Sequence, residues 1–169
     1  MGTKGSDTDA KSGIETEAGV GNSHRANPSS NPKADVAAQV AEAMIGNCGF
    51  SQLLGMEIIA TGIDTAAVRM PLQDKHLNGH DICHGGAIFA LADTTFAHAC
   101  NSDNIVTVAQ QCQIHFLRPG QRGDILTATA HRRDGAGRTG LYDIAVTNQD
   151  QKLIAEFRGM SRKLSDSIL

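Results

Sequence analysis

The chain has 169 residues, a formal net charge of −3, 40% hydrophobic and 20% charged residues, which suits one soluble domain with or without a tail. No run of ~18 apolar residues is present, which excludes a helical membrane span. The mildly acidic balance, the 4% aromatic content and the lack of Trp argue against a nucleic-acid binder or a base-stacking platform.

Residues Met1 to about Lys33 are rich in Gly, Ser, Thr, Asn and charge, with Ile14 and Val20 as their large aliphatic side chains. Such a segment cannot bury enough apolar surface to offset its ordering entropy. The expectation is a disordered tail over 1–33 and a folded domain over 34–169. The tail is not acid-poor, unlike a transit peptide, and lacks the apolar core of a secretory signal. Cys48, Cys83, Cys100 and Cys112 form no CxxC pair, so reduced thiols in a cytoplasmic protein are expected.

Asp35 is a candidate N-cap for a helix with the stripe Val36, Ala37, Val40, Ala41, Met44, ended by Gly46. Phe50 to Leu54 predicts a further helical turn. Met56, Ile58 and Ala60, then Ala66, Val68 and Met70, alternate as two short strands around a turn at Gly62 to Asp64. Gln73 to Cys83 reads as a loop with the tight-turn dipeptide Asn78-Gly79. From Gly85 to Asn101 the pattern is helical and apolar on most of its circumference, so that helix should be buried. Val106, Val108, Gln110, Cys112, Ile114 and Phe116 predict one face of a long strand closed by Arg118-Pro119-Gly120. Leu126, Ala128 and Ala130 follow, then a hairpin signal at Asp134 to Gly137. Tyr142, Ile144 and Val146, and finally Leu153, Ala155 and Phe157, complete four strands separated by turns. Two strands, a buried helix and an antiparallel run give α+β, with a curved sheet around a central helix. Such a sheet keeps edge strands, which are usually paired or protected, so association through an edge is expected.

Asp93 is the one carboxylate on the buried helix, flanked a turn away by Phe89, Ala90, Phe96 and Ala97. An unpaired anion there is costly to bury. It either faces a cleft or serves a structural role through donors such as Thr94 and Thr95. His84-Gly85-Gly86 opens the same helix. Helix-start N–H groups lack internal partners and the macrodipole favours negative charge, which suits an oxyanion; the alternative is a tight loop-to-helix corner. Gly85 and Asp93 lie roughly 12 Å apart along one helix, too far to touch one atom, a spacing that allows a partner subunit to complete a site at either end. His76, His80, Cys83 and His84 have spacing that permits zinc, against loop histidines that merely donate hydrogen bonds. Cys83 could also be a nucleophile if its pKa were depressed. Arg118, Arg132, Arg133 and Arg138 could hold the phosphates of an acyl carrier, or simply be solvated turn residues.

The stretch Leu77-Asn78-Gly79-His80-Asp81-Ile82-Cys83-His84-Gly85-Gly86-Ala87-Ile88-Phe89-Ala90-Leu91-Ala92-Asp93-Thr94, with Phe96 to Ser102 and Phe116 to Gly120, resembles the signature of hotdog-fold acyl-CoA thioesterases of the PaaI type. The resemblance runs from about Ala34 to Arg162. It implies a central helix wrapped by an antiparallel sheet, dimers joined edge to edge, two dimers in a homotetramer, and active sites between subunits. It implies hydrolysis of phenylacetyl-CoA or a ring-hydroxylated relative to the free acid and CoA, without metal or cofactor, nucleic acid or membrane. By position, the Gly85 N–H would polarise the thioester carbonyl, with Gly86 beside it. Asp93 would be general base or nucleophile, Asn78 would orient the reacting group, and His84 would support the loop or contact the thioester. Apart from the resemblance, Arg118 at its strand end is the arginine assigned to substrate binding. A related branch of the family often carries a Ser or Thr on the next strand, where it helps to place the water. Here Val108-Ala109-Gln110-Gln111-Cys112 has no hydroxyl, so Gln110 or Gln111 stands in or the role is absent. A non-enzymatic acyl-CoA-binding module and a zinc protein are the alternatives. The His and Glu pair of dehydratases on this fold is not found.

Overall fold

Period-2 alternation in most of the C-terminal half, beside one segment apolar all round, favours strands wrapping that segment. The computed structural model describes residues 32–169 and has this form. The expected tail lies outside the described residues except for Pro32 and Lys33. These two open α1 (Pro32–Gly46), which starts ahead of the expected boundary. Proline's fixed φ and missing N–H suit a first helical position, so Asp35 sits inside the first turn rather than at the cap. A five-residue helix, α2 (Gly49–Leu53), follows with Cys48 as its N-cap. Then come β1 (Glu57–Gly62), β2 (Thr65–Pro71), a single 3-10 turn at Asp74–His76 and α3 (Gly85–Cys100). The chain ends in β3 (Ile105–Phe116), β4 (Ile125–Ala136), β5 (Thr139–Thr147) and β6 (Leu153–Ser167).

All six strands pair antiparallel in the order β1-β2-β4-β5-β6-β3, so β1 and β3 are the edges. The expected inward residues of β2, β4 and β5 are buried: Ala66, Val68, Met70, Leu126, Ala128, Ala130, Tyr142, Ile144 and Val146. They meet Ala87, Ile88, Leu91, Phe96 and Ala99 of α3. Small residues on the helix let the sheet approach, and Phe96 fills the remaining space. Its ring contacts Tyr142 at 5.4 Å and Phe157 at 5.9 Å between centroids, and it packs onto Gly159, where a side-chain methyl would stand 2.8 Å away.

Three expectations are corrected. β3 does not keep one inward face. A bulge between Ala109 and Gln111 leaves Gln110 unpaired and shifts the alternation, so Thr107 is buried before it, Cys112 and Ile114 turn inward after it, and Val108 and Phe116 are exposed. The last strand runs on to Ser167. Its extension presents Gly159 and Ser161 inward, and neither carries an apolar signature. The β4–β5 hairpin turns at Gly137, in the left-handed region at φ 57°, with Asp134 to Ala136 still in the strand. Among the described residues no helix is long and apolar enough to cross a membrane.

His76 and His98 are buried, at 1% and 4% exposure, and each leaves one ring nitrogen unpartnered. Burial pushes both pKa values down, that of His98 to about 4 from the ordinary 6.5. Both rings stay neutral in the folded protein while the unfolded chain takes up protons below pH 6.5. Their stabilising contribution is therefore present above that pH and is lost as pH falls toward 4. Thermal midpoints should drop between neutral pH and about pH 5, and His98→Gln should flatten the drop.

Candidate active site

The loop from Gln73 to His84 delivers the start of α3. His76 pins it twice: its Nδ1 accepts from the Gln73 N–H at 2.9 Å, and its carbonyl accepts from the His84 N–H at 2.8 Å. Arg122 clamps the same loop through ion pairs to Asp74 and Asp81. Asn78 closes a turn inside it. Its Oδ1 accepts from the His80 N–H at 2.9 Å and more weakly from Ile82 at 3.4 Å. The Asn78 amide Nδ2 has no hydrogen-bond partner among the described residues and remains a donor.

His84 is the N-cap of α3 in extended conformation, and its ring Nδ1 accepts from the Gly86 N–H at 2.8 Å. The neutral ring therefore carries its proton on Nε2. Among the described residues nothing accepts from the Gly85 N–H, so at this helix start the donor left open is Gly85, and Gly86 is engaged. The half-exposed Phe116 lies over Gly85, where a side-chain methyl would stand 3.3 Å from the ring. An N–H at a helix start, beside an aromatic wall, is equipped to hold developing negative charge.

Asp93 lies eight residues further along α3. Its carboxyl is half-buried and makes no ion pair among the described residues. Burial raises its pKa, partly offset by the Cys112 thiol, which donates to Oδ1 at 3.8 Å. A carboxylate so placed is a stronger base than one in water. Thr94 next to it meets the buried Ser51 of α2 at 3.5 Å between hydroxyl oxygens. α2 is thereby seated against this turn of α3, with Phe50 and Leu53 exposed.

The other candidates do not gather here. Gln110 is exposed at the bulge on the free edge of β3. The Arg118 guanidinium donates to the Leu153 carbonyl at 2.9 Å. Arg132 pairs with Asp64, Arg133 with Asp143, and Arg138 donates to the Lys163 carbonyl, so the arginines form no single phosphate cluster. Among the described residues no three His, Cys, Asp or Glu side chains converge as metal ligands. Of the proposed zinc set, His76 is buried in the loop's own hydrogen bonds, His84 caps α3, His80 is exposed, and Cys83 is buried with its pKa pushed up to about 11. That last shift also removes Cys83 as a nucleophile. A groove of about 540 Å³ on the sheet's outward side, lined by His115, His131, Arg133, Asp143 and Arg158, contains none of the site residues. Sequence reasoning placed Cys112 on the apolar face of the strand but gave it no role, because that stretch was searched only for a hydroxyl.

Comparison with known proteins bears out the family and the fold. The thioesterase superfamily model matches residues 80–155. The chain is 48% identical over 130 residues to acyl-coenzyme A thioesterase PaaI of Escherichia coli (strain K12), a match covering 77% of this chain and 93% of that protein. It is 31% identical over 134 residues to a putative esterase of Archaeoglobus fulgidus, covering 79% and 87%. The solved structure of the E. coli PaaI protein from the phenylacetic acid degradation operon superposes with a TM-score of 0.78 at 47% identity, over 79% of this chain and 97% of that one. A Streptococcus mutans protein bound to acetyl CoA superposes with a TM-score of 0.64 at 25% identity, over 66% and 90%.

Proposed function

The chain belongs to the PaaI-type acyl-CoA thioesterases of the hotdog fold and is a thioester hydrolase, and from that premise we propose that it cleaves phenylacetyl-CoA or a ring-hydroxylated relative. The observation that carries the chemical reading is a half-buried Asp93, with no cation beside it among the described residues, on a helix whose first N–H, that of Gly85, is open among the same residues. Membership of a hydrolase family sets aside the non-enzymatic binding module. The substrate class is supported by the kinship with a protein of phenylacetic acid degradation, and the CoA portion by the relative that binds acetyl CoA. Four free thiols suit a reducing cytoplasm.

Two groups roughly 12 Å apart on one helix cannot act on one carbonyl. β3 is a 12-residue edge strand with one side unpaired, which calls for a partner. Pairing β3 with its copy across a two-fold axis brings Asp93 of one protomer toward Gly85 of the other. Two such dimers form the proposed homotetramer. Asp93 takes a proton from water as the water oxygen adds to the thioester carbon. The carbonyl electron pair moves onto oxygen, where the Gly85 N–H stabilises it. Collapse of the tetrahedral intermediate breaks the C–S bond and expels CoA as a thiolate, a good leaving group, while the proton on Asp93 returns to solvent or to the thiolate. The free Nδ2 of Asn78 and the Nε2–H of His84 orient the thioester. The remaining N–H groups of Arg118 are available for the carrier's phosphates, and Gln110, exposed at the β3 bulge, is available to the substrate.

Gly85 permits a test that isolates its backbone donor. Proline at a first helical position is well tolerated, and His84 at ψ 132° is compatible with a following proline. Gly85→Pro removes the N–H, whereas Gly85→Ala keeps it and adds a comparable Cβ against Phe116. We expect kcat to fall about 10²–10³-fold further in the proline variant than in the alanine variant. Equal losses in the two would exclude the oxyanion role. Asn78→Asp keeps the turn's acceptor but removes the amide donor. It should lower kcat about 10-fold with an unchanged thermal midpoint, and an unaltered kcat would remove Asn78 from the site.

A further inference from the structure

Cys112 reaches Asp93 because of the bulge in β3. Residues before and after Gln110 differ in parity, and the restored register pairs Cys112 with Gly159 of β6. The thiol then turns inward, half-buried against the core, and its S–H donates to Asp93 Oδ1 at 3.8 Å. Nineteen residues separate the two in sequence, so the fold rather than local geometry makes the contact. Among the described residues no other side chain donates to Asp93, and Oδ2 is left open. Among the described residues the titratable groups that face Asp93 are Cys112 from β3 and Cys100 further along α3. From α2 the neighbour is the non-titrating Ser51, with Cys48 hydrogen-bonded behind it.

We propose that Cys112 is a positioning residue for hydrolysis: its thiol holds Oδ1 so that Oδ2 meets the attacking water. This rests on Asp93 being the base. A guanidinium or several N–H donors in the same place would fix the carboxylate more firmly but would stabilise its charge and make it a poor base. A thiol is a weak donor. It orients the carboxylate while leaving most of the basicity that burial confers. The thiol also keeps its proton throughout the working range, because burial and the Asp93 charge push its pKa up to about 11.

The test measures kcat and KM against pH for Cys112→Ser and Cys112→Val on a phenylacetyl thioester, with Asp93→Asn as reference. Valine fills the space without a donor. It should lower kcat about 10-fold with KM little changed and move the acid limb of the kcat profile to higher pH. Serine restores a donor, and a stronger one. It should recover kcat to within about threefold of wild type and move the acid limb to lower pH. Cys112→Ala replaces the valine variant if that protein does not fold. A donor-less variant with wild-type kcat and acid limb, or a serine variant as impaired as valine, would overturn the proposal. If Asp93→Asn is inactive in the same experiment, only the role of Cys112 falls; if Asp93→Asn stays active, the base assignment itself falls.

Discussion

Asp93→Asn is expected to lower kcat about 10²–10⁴-fold on aryl acyl-CoA substrates, the range for loss of a positioned general base, with KM little changed. The amide has the shape of the carboxyl and can still accept from Cys112 through its Oδ1, so α3 should be undisturbed. Stability should hold or rise. Burial raises the Asp93 pKa, which means that ionising it in the folded protein costs free energy once pH exceeds the unfolded value, and asparagine removes that cost. A variant that is inactive and at least as stable as wild type is the signature of a group kept for chemistry. An Asp93→Asn protein that is active on every acyl-CoA tested would mean that the carboxylate serves the fold instead.

The largest expected loss of stability comes from Phe96→Ala. Phe96 is 1% exposed and fills the space that the alanines of α3 leave against the sheet. Its ring touches Tyr142 and Phe157 and covers Gly159. Truncation loses the transfer free energy, the edge-on contact with Tyr142 and the tilted one with Phe157, and leaves a cavity walled by rigid strands, at a cost of about 3–5 kcal/mol. Urea unfolding should show this as a lower midpoint at constant slope. A cost under about 1 kcal/mol would mean that the sheet collapses onto α3 far more easily than native packing density allows.

Much of this architecture is legible in the residues. α3 announces itself by being apolar all round, and β2, β4 and β5 by strict alternation ending at turn residues. What escaped was parity. The bulge at Gln110 reverses which residues of β3 face inward, and nothing in Val108-Ala109-Gln110-Gln111-Cys112 signals it, since a bulge is settled by how β3 meets β6. The extension of β6 escaped because Gly159 is inward to make room for Phe96, and room has no hydropathy. In the candidate site, the proposed Gly85 donor and Asp93 base are read from helix physics and the resemblance. That Gly86 is engaged by His84 depends on a ring orientation. That a thiol faces Asp93 depends on the bulge, and a search of the next strand for a hydroxyl passes over it.

The most direct test mixes two variants that should each be inactive, Asp93→Asn and Gly85→Pro, after dissociation and reassociation or by co-expression. If the base of one protomer serves the oxyanion donor of its partner, each mixed dimer holds one site with both groups intact and one with neither. Random pairing should then restore about a quarter of wild-type activity. Mixed dimers that form and stay inactive would contradict a thioester held between subunits.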